Sequence, residues 1–317
     1  MVAEQRRFGK DGKGTMRLAL GTVAFGLNGY GLPNTDKPKP SMGKVLELLD
    51  YAHEHEVEFL DTANAYGDAE ETIKIYGAEK FKITSKLKPN CLAGLSNSEI
   101  LARVKEELRT DLKRLGLSCL WGYYFHTPEY IYNKKAIAAL MECKKEGLVS
   151  NIGVSIYEPK DAYYAAKAGI DIIQVPYNIL DQRLHKINFF HVAKENGVII
   201  FGRQPFLKEL LALPVNKIPS PLKQANVSLR LIDKIVGKYH FTRIEACLLF
   251  CLMEDSIDYV VLGVDNIKQL QDNIMLNRFY EASTSMAKAF QPCYAELRES
   301  FEHIDSYVIV PSLWKNK

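Results

Sequence analysis

Asp61, Tyr66, Lys86 and His126 carry side chains that can move a proton or steady a charge. A carboxylate, a phenol, an ammonium group and an imidazole at one mouth would make an acid–base centre for a small polar molecule. Each residue alone has a plainer reading. A tyrosine in a loop is usually packing or surface, and a lysine ending an apolar strand usually snorkels to solvent. Asp61 before Thr62 would serve as a turn residue, and a lone histidine is most often a hydrogen-bonded structural group. Their joint placement favours chemistry: Asp61, Lys86 and His126 each end a short apolar run, and Tyr66 follows Asp61 in a loop.

Those runs alternate with amphipathic segments, the pattern of βαβ units on a parallel sheet. The spacing predicts strands over Arg17–Leu20, Val57–Leu60, Lys82–Ser85, Cys119–Phe125, Val149–Val154, Asp171–Val175, Val198–Phe201 and Tyr259–Leu262. Helical spacing is expected between them, most clearly over Ser98–Leu115, where Leu101, Val104, Leu108, Leu112 and Leu115 share a stripe. Eight strands with helices between them predict an α/β fold, a (β/α)8 TIM barrel, whose functional groups gather at the C-terminal strand ends. A doubly wound sheet is the competitor. Its phosphate-binding fingerprint GxGxxG is missing from the first turn, Gly21-Thr22-Val23-Ala24-Phe25-Gly26. Two further helices and a tail containing Tyr307 and Trp314 are expected over the barrel mouth. Residues 16–317 read as one domain and the polar residues 1–15 as a disordered leader.

Composition narrows the function classes. Of 317 residues, 47% are hydrophobic and 25% charged, enough for a large core. The 41 basic and 38 acidic residues are spread along the chain, so nucleic acid is a poor partner. No apolar run approaches the ~20 residues that span a bilayer. Six cysteines without paired spacing read as reduced thiols of a cytoplasmic protein. Cys247 and Cys251 lie four apart on a helical stretch, lack further ligands for a metal, and read as core.

The ordered motifs resemble those of the aldo-keto reductase superfamily. They are Asp61-Thr-Ala-x-x-Tyr66-Gly67, Ile83-Thr-Ser-Lys86, Phe125-His126, Ile152-Gly-Val-Ser155, Ile173-Gln-Val-Pro-Tyr-Asn178 and Gly263-x-x-Asn266-x-x-Gln269-Leu270-x-x-Asn273. The resemblance implies hydride transfer from C4 of NADP(H) or NAD(H) to a small-molecule carbonyl, with no metal. It makes Tyr66 the general acid, with a pKa lowered from about 10 by Lys86. Asp61 would hold Lys86, and His126 would orient the carbonyl and hydrogen-bond its oxygen.

The same resemblance places the cofactor against Gly21, Thr22, Ser155, Gln174, Arg203, Gln204, Phe206, Leu207, Gly263, Asp265, Gln269 and Asn273. Three positions depart from the family pattern. Ile156 stands where an Asn would complete the carboxamide contacts. Arg203 replaces the aromatic residue that stacks on the nicotinamide, and its planar guanidinium would either stack or bind pyrophosphate. Asp265 stands near where relatives preferring NADPH carry an Arg, which tilts the expectation toward NADH, with Lys268 close enough to restore phosphate binding. Phe25, Trp121, Tyr157 and part of the C-terminal tail are expected to form the substrate pocket, suiting a flat or sugar-like carbonyl. Two other roles stay open on this fold: a cofactor-binding regulatory subunit, and a lyase or epimerase without net redox.

Overall fold

The computed structural model describes residues 16–33, 37–282, 284–301 and 304–316, so the leader expected over residues 1–15 lies outside it. Eight parallel strands close into a barrel in chain order. They are β1 (Leu18–Gly21), β2 (Phe59–Asp61), β3 (Lys82–Leu87), β4 (Leu120–Phe125), β5 (Val149–Ser155), β6 (Ile172–Pro176), β7 (Ile199–Arg203) and β8 (Tyr259–Leu262). β8 pairs with β1, setting Val261 beside Ala19, so the sheet has no free edge.

The helices form for local reasons the sequence shows. The longest, Asn97–Leu115, starts at a capping box of Ser96 and Glu99 and ends at Gly116, whose φ of 74° suits a left-handed cap. Its stripe of Val104, Leu108, Leu112 and Leu115 is buried, while Leu101 is exposed. The helix over Lys134–Lys145 is capped by the Asn133 side chain, which accepts from two backbone N–H groups. After β8, helices Ile267–Ala282 and Thr284–Ser300 lead into a tail that ends in a 3-10 segment over Pro311–Asn316.

Two departures from the sequence reading matter for the site. β2, β3 and β7 run one or two residues further than their apolar runs, so Asp61, Lys86 and Arg203 lie in the sheet itself. Parallel pairing continues through them: Asp61 registers with Thr84, Lys86 with Tyr124 and Arg203 with Pro176 and Val261. The second concerns the barrel's interior. Phe59, Trp121, Phe201 and Tyr259 pack there in one aromatic cluster, Trp121 standing 4.7 Å from Phe59 edge to face. Trp121 is the second residue of β4, Phe59 and Tyr259 the first of theirs, so most of this plug fills the end opposite the C-terminal mouth.

Cys247 and Cys251 are both fully buried in the core, Cys251 donating to the Tyr177 carbonyl oxygen. No helix among the described residues is long and apolar enough to cross a membrane.

Candidate active site

A cavity of about 640 Å³ opens at the C-terminal ends of the strands. Its wall holds Asp61, Tyr66 and His126 together with Gly21, Thr22, Ser155, Tyr157, Gln174, Arg203, Gln204, Phe206, Gly263, Asp265, Gln269 and Asn273. Four expected members do not line it: Lys86 is buried and paired with Asp61, and three others lie elsewhere. Phe25 is buried in the main core under the first turn, and Trp121 belongs to the aromatic plug. Leu207 is fully buried as well. Residues 207–209 all take positive φ, and this left-handed run leaves Lys208 and Glu209, rather than Leu207, on the cavity wall. The wall also includes Tyr30, from the loop after β1, and Pro311 and Ser312 of the C-terminal tail, part of which was expected there. Tyr30 sits in no recognisable motif, so only the closed barrel reveals it.

Lys86 is the hinge of the four candidate residues. It is 1% exposed, and its Nζ donates to Asp61 Oδ2 at 2.7 Å and to the Thr62 carbonyl oxygen at 2.9 Å. A lysine so placed does not snorkel; its partners replace the water it has lost. Burial lowers the Lys86 pKa, and the Asp61 carboxylate opposes that shift. Asp61 Oδ1 accepts from Thr84 Oγ1 at 3.0 Å and from Gln174 Nε2 at 2.8 Å. Ser155 donates to Gln174 Oε1 at 3.0 Å. The Ser155–Gln174 pair expected to bind a ligand is thus also the support of Asp61.

The loop that carries Tyr66 is fastened from behind. Arg114 donates to the Gly67 carbonyl oxygen at 2.7 Å, and the buried Asp111 accepts from Asn64 at 2.6 Å. Gly26 packs so close that a Cβ there would lie 1.7 Å from the Tyr66 carbonyl oxygen, so no larger residue fits. Thr22 binds the Asp61 carbonyl oxygen through both its N–H and its hydroxyl. Tyr66 and Lys86 therefore meet through rigid neighbours, with Nζ 5.1 Å from the phenol ring centre.

The electrostatics correct one expectation. The Tyr66 pKa is raised, not lowered: burial favours the neutral phenol, the Asp61 and Tyr157 oxygens add to the shift, and Arg203 works against it. Lys86 is already committed to Asp61, whose carboxylate acts on Tyr66 in the opposite sense. His126 stands edge-on to Tyr66, ring centres 6.0 Å apart. Burial pushes the His126 pKa down to about 4, with Lys86 next in effect, so the imidazole is neutral at physiological pH. Its Nδ1 is buried without a hydrogen-bond partner.

At the departures from the family pattern, Ile156 is buried and uses only its backbone: its N–H donates to the Gln174 carbonyl and its carbonyl accepts from Arg203 at 2.9 Å. The Arg203 guanidinium lies 4.7 Å over the Tyr157 ring. Asp265 is bound by Lys37 at 2.6 Å, and the same Nζ reaches Glu209 at 2.6 Å. Burial works against the Lys37 charge, but its two carboxylate partners prevail and raise its pKa. Lys268 is engaged by Asp272 one helical turn on.

A closed parallel barrel with a buried Lys–Asp pair, a protonated phenol and a neutral imidazole at its C-terminal mouth is built as an enzyme of the TIM-barrel class. The Aldo/keto reductase family pattern matches residues 17–295, and the chain belongs to that family of oxidoreductases. It is similar to the aldo-keto reductase str7 of Strobilurus tenacellus, 29% identical over 299 residues and covering 83% of this chain and 82% of that protein. It is also similar to the uncharacterized oxidoreductase YqkF of Bacillus subtilis (strain 168), 24% identical over 303 residues, 88% of this chain and 94% of that one. Among solved structures, the aldo-keto reductase AKR11C1 from Bacillus halodurans (holo form) superposes with a TM-score of 0.71 at 21% identity. That match covers 92% of this chain and 95% of the other and reflects the shared fold.

Proposed function

We propose that this chain reduces the carbonyl group of a small molecule to an alcohol, with NADPH or NADH as reductant and Tyr66 as proton donor. The observation that carries the reading is the convergence of Tyr66, His126 and Asp61, the last paired to the buried Lys86, on one cavity that is also walled by β8 and the helix after it. The cavity suits such a cofactor. Its volume lies within the range of small-molecule sites, and the polar side chains of Thr22, Ser155, Gln174, Gln269 and Asn273 line it. Gly21, Thr22, Ser155, Gln174, Gln204, Phe206, Gly263, Asp265, Gln269 and Asn273 would hold it. When bound, a reduced nicotinamide supplies a hydride to the carbonyl carbon. His126 and Tyr66 stabilise the charge that then grows on the carbonyl oxygen. Tyr66 gives its proton to that oxygen, and the Lys86 ammonium stabilises the tyrosinate left behind.

Mixing the full chain and reduced cofactor with a panel of aldehydes and ketones in a stopped-flow instrument tests this. Substrate-dependent cofactor oxidation with an equal yield of alcohol is expected. Tight cofactor binding without oxidation by any carbonyl would make the chain a binding subunit. Product formed without net oxidation would make it a lyase or epimerase.

Lys37 bears on the choice of cofactor. Asp265 alone would repel a 2′-phosphate, but the Lys37 ammonium compensates it and Glu209 together. Lys37→Met would leave both carboxylates bare, and the NADPH:NADH affinity ratio should fall about tenfold, equivalent to ~1.4 kcal/mol. Fluorescence titration of both cofactors reads this; an unchanged ratio would remove Asp265 and Lys37 from the 2′ position.

A further inference from the structure

The cavity wall carries four acidic side chains, and each is engaged by a cation other than Arg203. Asp61 holds Lys86, Glu209 and Asp265 share Lys37, and Asp272 holds Lys268. Arg203, the last residue of β7, lines the same cavity. Its position is fixed by the bond from Nη2 to the Ile156 carbonyl and by the Tyr157 ring beneath it. Its Nε is buried without a partner, and no carboxylate of the described residues lies within ion-pair distance of it. A guanidinium held this rigidly, half-buried and without a counter-charge, is costly unless a ligand brings one.

The location says which ligand. Arg203 ends β7 at the C-terminal mouth and lines the cavity together with Tyr66, His126 and Tyr30, the groups at its reacting end, and its charge acts on all three. Its partner is therefore placed beside the carbonyl being reduced. With Asp61 neutralised by Lys86 and His126 uncharged, Arg203 gives this end of the cavity a net positive charge. A planar guanidinium also offers paired N–H donors whose geometry matches a carboxylate.

We propose that the site takes carbonyl substrates that also carry a carboxylate, oxo acids or semialdehyde acids, and that Arg203 is the specificity-determining residue that receives that carboxylate. This rests on the carbonyl-reductase reading above. The reaction balances as before: the carbonyl carbon gains hydride from the reduced nicotinamide, its oxygen gains the Tyr66 proton, and the carboxylate passes through unchanged.

The test compares each acid with its own methyl ester, pyruvate against methyl pyruvate and succinate semialdehyde against its ester, in the full chain with reduced cofactor. The unsubstituted chain should favour the acids by at least about tenfold in kcat/KM, and Arg203→Met should lower the acid-to-ester ratio about a hundredfold, the size of a lost charge-assisted hydrogen bond. The loss should appear in KM for the acid, and Arg203→Lys should recover part of it. An ester preference in the unsubstituted chain would overturn the proposal, as would equal losses for acid and ester. A cofactor Kd that weakens as much as the acid's KM would also overturn it, by assigning Arg203 to the cofactor. If the chain reduces no carbonyl at all, the carbonyl-reductase reading fails by itself. Calorimetric titration with oxamate, a carboxylate that cannot be reduced, then decides Arg203: binding lost in Arg203→Met supports it, and binding kept sinks it.

Discussion

Tyr66→Phe should lower the rate of carbonyl reduction by between about a hundredfold and ten-thousandfold, the range that positioned proton transfer contributes. Only one oxygen is removed. The ring keeps its edge-on contact with His126 and its place over Lys86. The loop keeps its bonds from Arg114 and its tether from Asn64 to Asp111. Loss of rate without loss of fold or cofactor affinity is therefore expected, read by single-turnover kinetics beside cofactor titration. The direction of the Tyr66 shift adds a pH signature. Burial first, then Asp61, holds the phenol protonated beyond its ordinary value of about 10, so the acid form persists across the whole neutral range. The hydride step should show no decline from Tyr66 ionisation up to about pH 10. Near-native turnover by the phenylalanine variant would remove Tyr66 from the proton transfer.

Lys86→Met should be the most damaging single change to stability, at about 3 to 5 kcal/mol, because it strands a buried carboxylate. Asp61 would keep only the Thr84 hydroxyl and Gln174 amide, neutral donors that do not balance its charge. The double change Asp61→Asn with Lys86→Met should cost less than the sum of the two single changes, since it removes both charges together. Urea unfolding midpoints of the four proteins give the coupling. A cost below about 1 kcal/mol for Lys86→Met would mean the pair behaves like a surface ion pair. Activity should fall too, because the tyrosinate formed by proton transfer loses its neighbouring ammonium.

Much of the architecture was legible because the cues were local. The eight apolar runs and the stripe expected over Ser98–Leu115 follow from periodicity, while the caps at Ser96 and Gly116 that set the helix ends emerged with the structure. Asp61, Lys86 and His126 were found because each ends an apolar run, and Tyr66 because it follows in a motif of fixed spacing. The misplacements share a cause. Phe25 and Trp121 are aromatic residues near the right strands, but a strand has two ends and a turn two sides, and periodicity does not choose between them. Trp121 lies on the plug because β4 enters the barrel from the end remote from the site. Leu207 turned inward because residues 207–209 take a left-handed path that their side-chain types do not announce. The Lys37 bridge to Asp265 and Glu209 joins residues separated by 172 positions or more, and no pattern within the chain links them.

The sequence by itself determined the barrel and the family and singled out four candidate residues, since these rest on short-range patterning and on motifs in a fixed order. Only the tertiary structure decided the state of those residues. It set the Tyr66 shift upward by burying the phenol beside Asp61, held His126 neutral, and bound Asp265 to Lys37. It also left Arg203 without a carboxylate in a cavity whose four acidic side chains are each engaged by another cation. Charge balance depends on distances across the closed barrel, and those exist only once the chain has folded.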